Sequence, residues 1–174
     1  MNKINFENLP STNTPLNANN LNQLQTNVEN AINDQTEYKY IKATISSAQS
    51  ISTGSVVNLD TLDGDTTNGA ITLSNKGFVI GSGISLVEVS GIIFCQSVVG
   101  NAGNYVWQLI KKNNSNIVGN ICIATSNFVS GVLPAVPVTV QQGDKITMVA
   151  DSTASSAELR AGTAATYLMV RIIK

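Results

Sequence analysis

No histidine occurs anywhere in the 174 residues, and that one absence removes most of the chemistry a chain of this length could do. Ser-His-Asp and Cys-His sites both need an imidazole to carry the proton, and no other side chain of ordinary pKa changes charge near neutrality. Acid–base work would fall on carboxylates. Glu88 stands between apolar neighbours, and Glu158 lies in a Ser/Ala-rich stretch before Arg160. A glycosidase-type pair needs two carboxyls held at a set separation, and nothing in the spacing brings these two together. Gly81-Ser82-Gly83 lacks the flanks of a nucleophile elbow, and no glycine-rich loop ends in the Lys-Ser/Thr of a phosphate cradle. The expectation is a chain that is not an enzyme and uses no cofactor.

Three sets of residues could still bind something. Asp60, Asp63 and Asp65, followed by Asn68-Gly69, put several oxygen ligands within one short segment. That is a weak calcium candidate, because the spacing matches no EF-hand loop and Asp, Asn and Gly are also the ordinary residues of turns. Cys95 and Cys122 each sit in an apolar run and read as small buried hydrophobes. Two thiols without histidine fall short of the four ligands of a zinc site. Tyr105 and Trp107 alternate with apolar residues and so share one face of a strand, where they are candidates for ligand contact, by stacking on a sugar, or for packing at an interface.

Composition narrows the partners. Hydrophobic residues make up 43% and charged residues only 12%, against about a quarter charged in an ordinary soluble domain. So few charges cover a monomer's surface poorly, which places part of the apolar excess in a contact between copies. The net charge is −1. Cations are scattered, so backbone-driven nucleic-acid binding is not expected. Apolar runs fall far short of the ~20 residues of a membrane span. The start, Met1–Asn8, has no apolar core of a secretory signal, which predicts synthesis in the cytoplasm.

The elements that must position these residues divide near residue 37. Residues 1–37 are rich in Asn and Gln and read as an extended leader running into a helix over roughly 18–34. Leu21, Leu24, Val28 and Ala31 follow the 3-4-3 spacing of a coiled-coil seam. Asn17, or Thr14 ahead of Pro15, is the expected N-cap. Two heptads are too short to hold alone in water, so a partner helix or a docking surface is required.

From residue 38 to 174 the pattern is strand and turn. Expected strands are 38–46, 55–59, 70–73, 77–80, 85–89, 91–99, 104–111, 117–124, 136–141, 145–150 and 163–173. Turn signals stand at Asp63-Gly64, Asn68-Gly69, Asn75-Lys76-Gly77, Gly100–Gly103, Asn113–Asn116 and Gln142-Gly143-Asp144. So many short strands predict a β-sandwich or jelly roll. In the last strand Leu168, Val170 and Ile172 alternate with Tyr167, Met169, Arg171 and Ile173, and Ile92-Ile93-Phe94-Cys95 is likewise apolar on both sides. A two-layer sandwich covers one face of each sheet, so the second cover must be another subunit. The expected self-association residues are Leu21, Leu24, Val28, Ala31, Phe94, Tyr167, Met169 and Ile173.

Two stretches resemble known families. Ile4-Asn-Phe-Glu-Asn-Leu-Pro-Ser-Thr-Asn-Thr-Pro-Leu-Asn-Ala-Asn-Asn-Leu-Asn-Gln-Leu-Gln, within about the first 35 residues, is similar to the leaders of fibre-type structural proteins of bacteriophages and prophages of Gram-positive bacteria. Gly77-Phe78, the run Ile84–Phe94, Val138-Thr-Val-Gln-Gln-Gly143-Asp144-Lys-Ile146-Thr-Met148 and Tyr167-Leu-Met-Val-Arg-Ile resemble the jelly roll of the tumour-necrosis-factor and C1q-like families. The resemblance implies an all-β, homotrimeric TNF/C1q-like jelly roll behind a short helix, with the last strand facing the three-fold axis. This chain has fewer aromatics than fill that axis in eukaryotic members. The leader implies a virion location, with residues 1–37 joined to other virion proteins and the jelly roll projecting, as an adhesin for a host-surface glycan or protein. A head or neck decoration protein without a ligand, or a bacterial surface or spore-coat C1q-like protein, is the alternative.

Overall fold

The computed structural model describes residues 18–36, 38–52, 54–99, 105–123, 128–154 and 156–174, with the backbone alone at 33–36, 97 and 99. The chain forms two compact units, Met1–Tyr38 and Lys39–Lys174.

In the first unit, helix α1 spans Ala18–Thr36. Both N-cap candidates, Asn17 and Thr14-Pro15, lie outside the described residues. Its first turn carries no acid and its last no base, so the helix dipole goes uncompensated by side chains. Four-residue pairs supply local support: Gln23 Nε2 donates to Asn27 Oδ1 at 3.0 Å and Gln25 Nε2 to Glu29 Oε1 at 3.2 Å. Such pairs are worth a few tenths of a kcal/mol each. Leu24, Val28 and Ile32 stand exposed at four-residue spacing, Ala31 is exposed beside them, and Leu21 is half-buried.

The second unit contains thirteen strands among its described residues: β1 Tyr40–Thr44, β2 Gln49–Ser50, β3 Ser55–Val56, β4 Thr61–Asp65, β5 Ile71–Ser74, β6 Gly77–Ile80, β7 Leu86–Val99, β8 Tyr105–Lys112, β9 Ser115–Ile123, β10 Val129–Thr139, β11 Lys145–Ser152, β12 Ser156–Leu159 and β13 Tyr167–Ile172. They form two antiparallel sheets. The first has seven strands in the order β2-β12-β7-β13-β1-β4, with β10 on the other side of β7. The second has six, β5-β6-β11-β8-β9, with β3 also paired to β11. Successive strands cross repeatedly between the sheets, which is the winding of a jelly roll.

Alternation explains the core. Ile41 and Ala43, Val87, Val89, Ile93 and Cys95, and Leu168 and Val170 point inward from the first sheet. Phe78, Ile80, Val106, Ile110, Ile146 and Met148 meet them from the second. Two-residue turns close the hairpins, with Asn75 and Lys76 at φ 45° and 69°, and Asn113 and Asn114 at φ 47° and 71°, as the primed turns of tight hairpins require.

Four expectations about the strands are corrected. Asp63-Gly64 is not a turn but part of β4, which pairs with β1 across a bulge at Lys42/Ala43; the glycine marks the irregularity. The strand placed at 136–141 starts at Val129 and runs through Pro134 and Pro137. It tolerates them because β10 pairs with β7 on one side only and shifts register between Leu133 and Val136. The expected strands 85–89 and 91–99 are one, β7, with Gly91 inside it. The Ser/Ala-rich segment around Glu158 forms β12 on the edge of β7.

The Gly143-Asp144 turn anchors the β10–β11 connection. Gly143 has φ +85°, which a side chain would strain. The buried Asp144 carboxylate accepts from Gln141 N at 3.0 Å and from Asn113 Nδ2 at 2.6 Å, with Lys112 Nζ at 3.7 Å. Burial pushes its pKa up, but these donors and the ammonium outweigh it and hold the carboxyl below its usual value. The charged form therefore stabilises the fold above the unfolded pKa of about 4, and that support is lost as pH falls through the lower folded value. Asp144→Ala is expected to cost about 2 kcal/mol at neutral pH. The gap between wild-type and variant urea midpoints should be constant above about pH 5 and close as the carboxyl is protonated.

Candidate functional site

Two surfaces of the second unit carry the residues singled out above, one on each sheet. On the first sheet, cross-strand register sets the outward rows. Tyr167 pairs with Ile92, and Ile92 with Val132; Met169 pairs with Ser90 on one side and Lys42 on the other; Arg171 pairs with Glu88. Paired residues project from the same face, so Phe94, Tyr167 and Met169 share one side of the sheet because β13 pairs with β7. Ile92 joins them, Val132 stands 60% exposed beside it, and the Phe128 ring lies 6.0 Å from that of Phe94. The sequence did not mark Val132, because the register of β10 against β7 was not readable from it.

Charges frame this apolar area. Lys42 lies 4.4 Å from the centre of the Tyr167 ring, bridges Asp63 at 2.5 Å and donates to Thr163 O at 3.0 Å. Arg171 Nη2 meets Glu88 Oε2 at 2.8 Å, and Arg160 sits 5.5 Å from the centre of the Phe94 ring. Ile173 follows β13 and is exposed. Leu21, Leu24, Val28 and Ala31 belong to the other unit, on α1.

On the second sheet, Tyr105 and Trp107 are exposed with ring centres 6.0 Å apart and planes tilted by 36°. Their partners on β9 are Ile123 and Ile121, both exposed. On the other side Asp151 of β11 stands opposite Trp107.

The carboxylates are placed as follows. Asp60 accepts from Ser46 N and Ser46 Oγ, each at 2.8 Å, and from Thr61 Oγ1 at 3.0 Å. Burial raises its pKa, but these bonds prevail and lower it overall. Asp63 bridges Lys42. Asp65 accepts from Thr67 N and Oγ1, each at 2.7 Å. Each thus serves a local contact, and among the described residues no three His, Cys, Asp or Glu side chains gather as a metal would require. Glu88 pairs with Arg171, whereas Glu158 accepts from Gln96 Nε2 at 3.0 Å. Gln96 lies eight residues from Glu88 along β7, which sets the two glutamates roughly 25 Å apart. Cys95 and Cys122 are free thiols, and burial, with the neighbouring Cys122 thiol adding to it, pushes Cys95 up to about 12. Among the described residues no helix is long and apolar enough to cross a membrane.

Strand order, winding and the two-sheet core define a jelly roll of the tumour-necrosis-factor type. Among solved structures, the Eiger TNF of S. frugiperda superposes with a TM-score of 0.54, over 79% of this chain and 93% of that one, at 9% sequence identity. At that identity the likeness is one of fold. No family model matches the chain, and no curated protein matches it.

Proposed function

We propose that the chain is a non-catalytic, homotrimeric structural module of a bacteriophage particle. In this reading residues 1–37 attach it to other virion proteins and its jelly roll projects toward the host surface as a fibre or receptor-binding component. The observation that carries self-association is the outward apolar face of the first sheet: Ile92, Phe94, Tyr167 and Met169, extended by the exposed Phe128 and Val132. A cluster of large apolar side chains gathered on one sheet face, rather than scattered singly, marks an interaction surface. The threefold number draws on the TNF-type fold, and the particle on the likeness of residues 4–25 to phage leaders. The exposed Leu24, Val28 and Ile32 of α1 are the second self-contact, since a helix of this composition needs a partner to persist.

The test is a deletion. A chain lacking residues 1–36 is expected to remain an associated β domain, by sedimentation, yet to be missing from phage particles assembled with it. A deleted chain that still enters particles overturns the attachment role. Loss of association would move self-assembly from the sheet to the helix.

A further inference from the structure

We infer that the outward face of the second sheet is a carbohydrate site that seats a pyranose ring against Tyr105 and Trp107, with Asp151 accepting from its hydroxyls. This rests on the adhesive reading above for its biological meaning but not for its chemistry.

Four side chains make the platform. Tyr105 and Trp107 are 38% and 40% exposed, and their cross-strand partners Ile123 and Ile121 are 66% and 55% exposed. At ~200 Å² for a large side chain, these fractions leave roughly 400 Å² of contiguous apolar surface open. A stable contact between two proteins needs about 800 Å² from each partner. Somewhat over half of such a contact is apolar, so area alone does not select the occupant, and the choice rests on the polar groups at the rim.

The rim decides the chemistry of that ligand. Asp151 is half-buried at the register position opposite Trp107. Neither its carboxylate nor the Trp107 indole N–H makes a hydrogen bond with the described residues. A flat aromatic floor, an unengaged acceptor and an unengaged donor match a molecule with one apolar C–H face and a girdle of hydroxyls. The hydroxyls would donate to Asp151 and accept from the indole, while the C–H face covers the rings. A purely apolar peptide would strand both polar groups, at a cost. The two rings, 6.0 Å apart and inclined by 36°, form a shallow trough along β8 that admits successive sugars of an extended glycan.

Trp107 is the chain's single tryptophan, so the site carries its own reporter. The full-length chain is titrated with chitotetraose, cellotetraose and maltotetraose while tryptophan emission is followed, with calorimetry in parallel. A saturable blue shift with at least one of them is expected. Trp107→Ala should weaken that sugar about tenfold or more by calorimetry. Asp151→Ala should weaken it severalfold while leaving the emission shift at saturation. Circular dichroism of both variants should match the wild type. The inference is overturned by no saturable response to any of the three up to millimolar sugar, by binding that Trp107→Ala leaves unchanged, or by saturable binding of an aromatic-rich decapeptide in place of sugar. Sugar binding by a chain that sediments as a monomer would uphold this site and defeat the trimer.

Discussion

Gly131→Ala is expected to destabilise the β domain by about 4 kcal/mol. The reason lies in Gln108, which is fully buried at the middle of β8. With its amide oriented by the hydrogen-bond network, Nε2 donates to Gly131 O at 3.0 Å and Oε1 accepts from Gly131 N at 3.1 Å. One side chain thus gives β10 the pair of bonds that a further strand would have made. The contact is possible only because residue 131 has no Cβ: one built there would overlap both terminal atoms of the Gln108 amide. Alanine must displace the amide, which leaves two backbone groups and a carboxamide buried without partners and strains the packing as well. Urea unfolding at fixed protein concentration checks the size of the loss; a change within about 0.5 kcal/mol would contradict the bridge. In a Gln108→Ala background the same substitution should cost far less, since the clash is with that one side chain.

Met169→Glu is expected to dissociate the assembly while leaving each chain folded. Met169 lies half-buried on the outward face of the first sheet, between Ser90 and Lys42 in the neighbouring strands. In an isolated chain a carboxylate at this position is hydrated and lies close to the Lys42 ammonium. Within an apolar contact repeated around a symmetry axis, every copy would bring a charge out of water, at several kcal/mol per site, and Lys42, already bridged to Asp63, offsets that only in part. Association should weaken by about a hundredfold or more. The readout is mass by sedimentation, with circular dichroism to show the fold is kept. Trp107→Ala, on the opposite sheet, serves as the control that should not alter the mass. A variant that stays fully associated would move the interface away from this face.

Much of the fold was legible because strand periodicity survives in the aliphatic alternation. Ile41-Lys42-Ala43, Val106-Trp107-Gln108 and Leu168-Met169-Val170 each show their buried and outward sets directly. What failed was read through residue type without register. Asp63-Gly64 looked like a turn and lies inside a strand, the division expected at Ser90 lies within the single strand β7, and the strand expected from Val136 begins at Val129 and runs through Pro134 along an edge paired on one side. Ser156–Leu159 has little β-propensity and is a strand because β7 is long enough to pair with it. The site was legible in the same measure. Tyr105 with Trp107, and Tyr167 with Met169, follow from alternation within one strand, whereas Phe94 joins the latter pair only because β13 pairs with β7. Asp151 beside Trp107, and Val132 beside Ile92, depend on which strands become neighbours, and no local pattern encodes that. Gln108 and Gly131 show the same limit from within the core: a buried amide reads as an error until the glycine it serves is found across the sandwich.

Self-association through the first sheet is tested most directly by the mass of the intact chain in solution. Sedimentation equilibrium of the full-length protein at micromolar concentration should give a single species of three times 18.3 kDa. A single species of 18.3 kDa would leave Phe94, Tyr167 and Met169 facing water, and the proposed trimer would be wrong.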